Sequence, residues 1–123
     1  MRLKVVVYMA KNYLLTYAEQ LATDFELLCQ NIKAPSNTLF QMRKSSSSVY
    51  ANIREANYGQ SKADFVAKLH IALKETAETE YWLRLLTMSE YITEEMGQSL
   101  LTDCLEIKRI LIASINTTKN NMK

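Results

Sequence analysis

ANIREANYGQSKADF, residues 51–65, is the stretch that most clearly interrupts an otherwise helical chain of 123 residues. It places Asn52, Glu55, Asn57, Ser61 and Asp64 close together, so it reads either as a reaction centre or as a joint between two helices. Its internal pattern favours a joint. Asn57-Tyr58-Gly59-Gln60 breaks the apolar repeat, and Ser61 then stands at an N-cap position with Asp64 three residues on. A serine oxygen there accepts a hydrogen bond from an early backbone amide, while an acidic side chain reaches back and favours the positive helix end. Gly59 suits the left-handed position that closes the preceding helix.

Upstream of the joint, Leu39, Met42, Ser46, Val49, Ile53 and Ala56 recur at steps of three and four, predicting a helix over 36–58. The run Ser45 to Ser48 sits inside that pattern without shifting its phase. Serine is an indifferent helix former, so these positions read as a narrow waist where another helix approaches closely. Earlier still, Leu14, Ala18, Leu21, Phe25, Leu28 and Ile32 predict a helix over 10–33. It ends near Ala34-Pro35, because proline disfavours helical geometry in the preceding residue and suits the first turn of the next helix. The opening MRLKVVVY does not fit the pattern cleanly and is expected to be a loose extension.

Downstream, Phe65, Leu69, Ala72, Thr76, Thr79, Leu83 and Leu86 form one stripe of a helix over 61–89, with Ser61 as its cap. Val66, Leu73, Ala77, Tyr81 and Met88 form a second stripe, and Ile71, Trp82 and Leu85 lie outside both. A helix apolar around most of its girth touches more than its own chain supplies, which predicts self-association. A fourth helix over 94–118 opens on Glu94 and Glu95 and carries Gly97, Leu100, Cys104, Ile107, Leu111, Ser114 and Thr118 on one face, after which the tail is expected to fray. Two glycines and one proline agree with an all-α fold. The expectation is one domain over 1–123, an antiparallel up-down-up-down four-helix bundle.

Composition excludes several classes. The apolar run Val5 to Ala10 is far shorter than the roughly 20 residues of a membrane-spanning helix, and too short for a signal peptide, which predicts a cytoplasmic protein with no membrane contact. Cys29 and Cys104 each sit inside an amphipathic pattern and read as buried reduced thiols. A di-metal bundle needs Glu-x-x-His pairs on two helices; His70 is the single histidine, with Ala67 three positions before it. Zinc is as poorly served, and Ser45 to Ser48 with His70 make no nucleophile motif. Gly59 and Gly97 are isolated, so no phosphate-cradling loop exists. The reading is of a non-enzymatic protein without a metal or other cofactor.

Charge is segregated along the chain. Residues 31–62 hold Lys33, Arg43, Lys44, Arg54 and Lys62 against Glu55; residues 75–106 hold eight carboxylates against Arg84; the last sixteen hold Lys108, Arg109, Lys119 and Lys123 with no acid. The two basic blocks are expected to line one surface.

Residues 43–86, RKSSSSVYANIREANYGQSKADFVAKLHIALKETAETEYWLRLL, closely resemble the four-helix-bundle proteins encoded within intervening sequences of bacterial 23S ribosomal RNA genes. The likeness runs through Ala51-Asn52-Ile53 with Glu55, Ser61 with Asp64-Phe65, Lys68-Leu69, Leu73-Lys74-Glu75, Glu78-Thr79 and Tyr81-Trp82-Leu83-Arg84; Ala56 replaces a familiar glycine. What the resemblance implies is a left-handed bundle assembling as a ring, a homopentamer. Similar in fold are the accessory factors of diversity-generating retroelements, basic ring-shaped partners of a reverse transcriptase and its RNA.

Two functional classes follow. In one, Arg43, Lys44, Arg54 and Lys62, with Lys108, Arg109 and Lys119, neutralise the phosphates of RNA or DNA without reading sequence. In the other, the chain is a protein-interaction scaffold, such as a reverse-transcriptase accessory subunit, meeting its partner through Glu90, Glu94, Glu95, Asp103 and Glu106 or through Tyr58, Trp82 and Tyr91. Within the bundle, Asn52, Glu55, Asp64, Lys68, Glu75, Glu78 and Arg84 are expected to form a polar network, with Glu55, Lys68, Glu75 and Arg84 as an ion-pair chain joining the helices.

Overall fold

The computed structural model describes the backbone of residues 2–122 and the side chains of residues 13–122. Its elements are α1 (Arg2–Asn31), α2 (Ser36–Ala56), α3 (Lys62–Met88) and α4 (Glu94–Asn120). Each helix packs on its neighbours in the chain and α1 closes the ring against α4, which sets α1 diagonal to α3 and α2 diagonal to α4 around a shared core. Glu26 meets Arg43 and Glu19 meets Tyr50, so α2 runs back along α1. Glu55 meets Lys68 and Ser45 meets Thr79, so α3 reverses again. Lys62 touches the carbonyl of Asn121 at one end of the α3–α4 pair while Thr87 packs on Gly97 at the other. The fold is the up-down-up-down bundle that the spacing predicts.

Most of the core comes from the predicted stripes, with Cys29, Ile92 and Ile110 added to it, whereas Ala77, Tyr81 and Met88 of the second α3 stripe are exposed. Phe65, Leu69, Ala72, Thr76, Thr79, Leu83 and Leu86 of α3 are all buried, and they face Leu14, Ala18, Leu21, Phe25 and Leu28 of α1, Met42, Val49 and Ile53 of α2, and Cys104, Ile107 and Leu111 of α4. Burying a side chain of the Leu or Phe class contributes roughly 1.5–3 kcal/mol, so this column is the main stabilising element.

Several local expectations are corrected. The backbone of α1 is helical from Arg2, where 1–8 reads as a loose extension, because no glycine or proline stands there to stop the helix; it ends at Asn31, whose side-chain Nδ2 donates to the carbonyl of Leu27 at 2.7 Å. Pro35 is the N-cap of α2, one position before the first turn. α2 ends at Ala56, with Asn57, Tyr58 and Gly59 donating to carbonyls three residues back in a tightened last turn. Gly59 is not left-handed; no glycine has positive φ. Its value is space: a Cβ there would sit 3.2 Å from the carbonyl oxygen of Ala56 and 3.4 Å from the amide of Phe65. The left-handed closure occurs instead after α3, at Glu90, with φ 65°. α4 continues to Asn120, beyond the predicted end at 118; Lys123 lies outside the described residues.

Candidate functional site

The serine run forms the expected waist. Ser45 and Ser46 are buried, and the Thr79 hydroxyl of α3 lies 3.0 Å from Ser45 Oγ and 2.9 Å from the Glu75 carbonyl. Ser45 in turn donates to Met42 and Ser46 to Arg43 along their own helix. Small hydroxyls bonded back to the backbone let α2 and α3 approach without leaving polar atoms unsatisfied. Asn52 joins this polar column by donating to both the carbonyl and the hydroxyl of Ser48. The joint at 57–61 also forms: Ser61 Oγ accepts from the Asp64 amide at 3.0 Å, and Asp64 stands in the first turn of α3.

The predicted ion-pair chain does not assemble. Lys68 pairs with Glu55 at 3.5 Å across α2 and α3, but Lys68 is only half-buried and Glu55 is exposed. Arg84 turns to Glu80 one turn away on its own helix, at 2.9 Å. Among the described residues Glu75 and Glu78 make no ion pair, and Glu78 is exposed. The reason is geometric: Glu75, Glu78 and Arg84 flank the buried stripe of α3 on different sides, and sequence spacing does not reveal which carboxylate a long cation reaches.

The cations also distribute differently from the single surface expected. α2 and α4 stand on a diagonal, and α2 carries Arg43 and Lys44 toward the end opposite Lys119. Arg43 grips Glu26 through two bonds of 3.0 and 2.9 Å, and the hydrogen bond from Gln30, together with those from Arg43, holds the Glu26 carboxyl below its usual pKa. Arg109 grips Glu106 in the same way, lowering that carboxyl and raising the guanidinium. Lys62 donates to the Asn121 carbonyl at 3.3 Å, capping the end of α4 where cations are favoured. Among the described residues Lys44, Arg54, Lys108 and Lys119 make no ion pair. Arg54 in the last turn of α2, Lys62 at the start of α3 and Lys119 in the last turn of α4 share one end of the bundle. α1 begins at that end. Glu90, Glu94 and Glu95 stand at the other end.

A feature that composition did not disclose lies between α1 and α4, the most thinly packed pair. Two recesses of about 660 and 290 Å³ open along this seam and share Asp24. Their walls include Tyr13, Tyr17, Leu27, Met96 and Leu100, with Asp24, Glu95 and Asp103 as the charged members. Burial pushes the Asp103 carboxyl above its usual pKa, and Asp24 adds to the shift. Burial also raises the Tyr17 hydroxyl, with Asp103 and Glu106 acting in the same direction. The i, i+7 placement of Tyr13 and Gln20 with Tyr17, Asp24 and Leu27 marks this face in the sequence, but its partner on α4 is a tertiary fact.

Among the described residues no group of three His, Cys, Asp or Glu side chains is placed to hold a metal ion, and His70 is exposed on α3 while Ser45 and Ser46 are buried. No described helix is long and apolar enough to cross a membrane. Tyr58 and Tyr91 are exposed and Trp82 is half-buried, in edge-to-face contact with Tyr81.

Residues 13–113 match the family model described as 23S rRNA-intervening sequence protein. Among solved structures, the chain is similar to the crystal structure of a protein of unknown function from the S23 ribosomal protein family of Bacteroides thetaiotaomicron, with 41% identity over 87% of this chain and 98% of that chain, and a TM-score of 0.84. No curated protein matches the chain.

Proposed function

The chain belongs to the 23S rRNA-intervening sequence protein family, and on that premise we propose a non-enzymatic, cytoplasmic, self-associating bundle that holds RNA, DNA or an RNA–protein complex through phosphate contacts blind to sequence. The observation that carries this reading is the polarity of the bundle along its axis: the ends of α2, α3 and α4 bring Arg54, Lys62 and Lys119 together, away from Glu90, Glu94 and Glu95. A few cations on one copy make a weak field, but repetition in an assembly multiplies it. Support for assembly comes from the apolar side chains one copy leaves in water, including Ile71, Tyr81 and Met88 on α3 and Leu105 and Ile112 on α4. The homopentamer implied by the family resemblance is the form we propose.

The test is binding of a structured RNA and of duplex DNA across a salt series. Electrostatic binding gives affinity that falls linearly with salt on logarithmic axes, and removing two phosphate contacts lowers the slope by about two for duplex DNA. Lys62→Ala with Lys119→Ala is expected to flatten the line for both ligands equally. Absence of binding at low salt overturns the proposal.

The second reading, a protein-interaction scaffold or reverse-transcriptase accessory subunit without direct nucleic-acid contact, draws on the acidic, apolar-walled recesses between α1 and α4. Salt-independent capture of a protein partner with no RNA affinity would favour it.

A further inference from the structure

We infer that Tyr58 is a stacking platform for an unpaired base, so that the basic end of the bundle holds a single strand, free or looped out of a folded RNA, by its bases as well as its phosphates. The inference rests on the phosphate-binding reading above and names the form of nucleic acid that the same end would take.

Tyr58 is 77% exposed, more than any other large apolar or aromatic side chain described. Tyr13 and Tyr17 share a ring contact, Tyr81 meets Trp82, and Tyr50 bonds to Glu19; among the described residues Tyr58 has no such partner. A single exposed apolar side chain is ordinary on a protein surface, so exposure alone assigns nothing. What distinguishes Tyr58 is its company. It stands in the joint between α2 and α3, one turn after Arg54 and four residues before Lys62. Lys62 reaches the Asn121 carbonyl and so lies beside the last turn of α4, which carries Lys119. Arg54, Lys62 and Lys119 are all exposed, and among the described residues none is held by a carboxylate. Of the acids at this end, Glu55 is engaged by Lys68 at 3.5 Å, and Asp64 stands in the first turn of α3, where the helix end offsets its charge.

The mount of the ring is stiff. The amides of Asn57, Tyr58 and Gly59 donate to the carbonyls of Arg54, Glu55 and Ala56 at 3.2, 3.0 and 3.1 Å, and Ser61 caps α3 just beyond. A ring carried on a hydrogen-bonded turn loses little backbone freedom when a ligand covers it. Cations neutralise the phosphates of any nucleic acid, whereas a flat aromatic face complements a base that has left its own stack. The faces of duplex bases are already covered by their neighbours, so the ring adds nothing there. Stacking tolerates any sequence because every base has a π-face, which agrees with phosphate contacts that do not read sequence.

The test titrates the full chain with oligo(U), oligo(dT), an abasic DNA strand and a DNA duplex, all of the same length at low salt, with mass in solution followed by light scattering. The wild type should bind oligo(dT) more tightly than the abasic strand, which carries the same phosphates without bases. Tyr58→Ala should weaken binding of oligo(U) and oligo(dT) alike, by roughly five- to hundredfold, and leave the abasic strand and the duplex unchanged. Tyr58→Phe should keep the wild-type affinities, and Tyr58→Leu, apolar but without a π-face, should behave as the alanine variant does. No binding of any ligand overturns this inference and the phosphate-binding reading together. Equal affinity of the wild type for oligo(dT) and the abasic strand, or a Tyr58→Ala loss that is absent or the same for all four ligands, overturns the stacking alone. A fall in mass of the Tyr58→Ala chain places the ring between copies and likewise overturns the stacking.

Discussion

The methyl and hydroxyl of Thr87 on α3 occupy the space in which a side chain at Gly97 on α4 would have to begin: a Cβ built there falls 2.8 Å from Thr87 Cγ2 and 3.1 Å from Thr87 Cβ, with the hydroxyl nearer still. Gly97 is thus a seat for its neighbour near the acidic end of the bundle. Gly97→Ala should destabilise the fold by about 1–3 kcal/mol through overpacking, less the roughly 1 kcal/mol that alanine gains in helix propensity. Thr87→Ala should remove the clash, so that in urea titrations the second substitution rescues the first. Independent, additive losses in the double-mutant cycle would count against a direct contact.

Glu90 presents the opposite case, a residue where glycine belongs. After α3 the Tyr91 amide donates to the Leu86 carbonyl at 3.0 Å and the Glu90 amide to that of Thr87 at 3.1 Å, a Schellman closure with Glu90 in the left-handed position. A side chain there costs roughly 1–2 kcal/mol that glycine does not incur. Glu90→Gly should therefore raise the thermal midpoint, by a stability gain of about 0.5–1 kcal/mol after the larger chain entropy of glycine is counted. Glu90→Ala, which keeps the Cβ, should not.

These two sites show where the sequence was legible and where it was not. The stripe from Phe65 to Leu86 is buried at every predicted position, and the serines at 45 and 46 form a waist, because helical period and side-chain size are local properties. Ser61 caps α3 for the same reason. Thr93 caps α4 equally well, by accepting from the Met96 amide at 3.1 Å, and the signal was a threonine just before two glutamates. Gly59 was misassigned, and the left-handed turn at Glu90 left no mark in the sequence, because a helix closes where packing lets it and the glycine preference is only statistical. The partners of Arg43, Arg84 and Arg109 and the seam between α1 and α4 depend on which faces meet in space, which periodicity does not specify.

At the waist, size and polarity separate. Ser45 Oγ donates to the Met42 carbonyl at 3.1 Å and accepts from Thr79, whose hydroxyl has the Glu75 carbonyl as an alternative acceptor. Ser45→Ala leaves no buried donor stranded and should cost about 1 kcal/mol or less. Ser45→Leu inserts bulk between α2 and α3 and should cost about 1–3 kcal/mol, with a lowered denaturant midpoint. Equal losses would show that the hydroxyl, and not its small volume, holds the helices together.

Cys104 makes the fold sensitive to alkali. Burial, reinforced by the nearby Glu80 and Asp103, pushes its thiol up from 9.0 to about 12. An acid whose folded pKa is raised contributes stability that is fully present below the unfolded pKa and is lost as pH rises toward the folded value, because the unfolded chain ionises first. Between pH 9 and about 12 the thiol should therefore subtract roughly 1.4 kcal/mol per pH unit from stability. Tyr17 and Cys29, also raised by burial, act in the same direction, so the contribution of Cys104 is isolated as the difference between the wild type and Cys104→Ala. In urea titrations at pH 8, 9 and 10 that difference should shrink with pH, since alanine loses packing but carries no proton. The thiol should also resist a disulfide-exchange reagent at pH 8 until the chain unfolds, because the thiolate is the attacking species. A constant difference, or rapid labelling of the folded protein, would place Cys104 in contact with water.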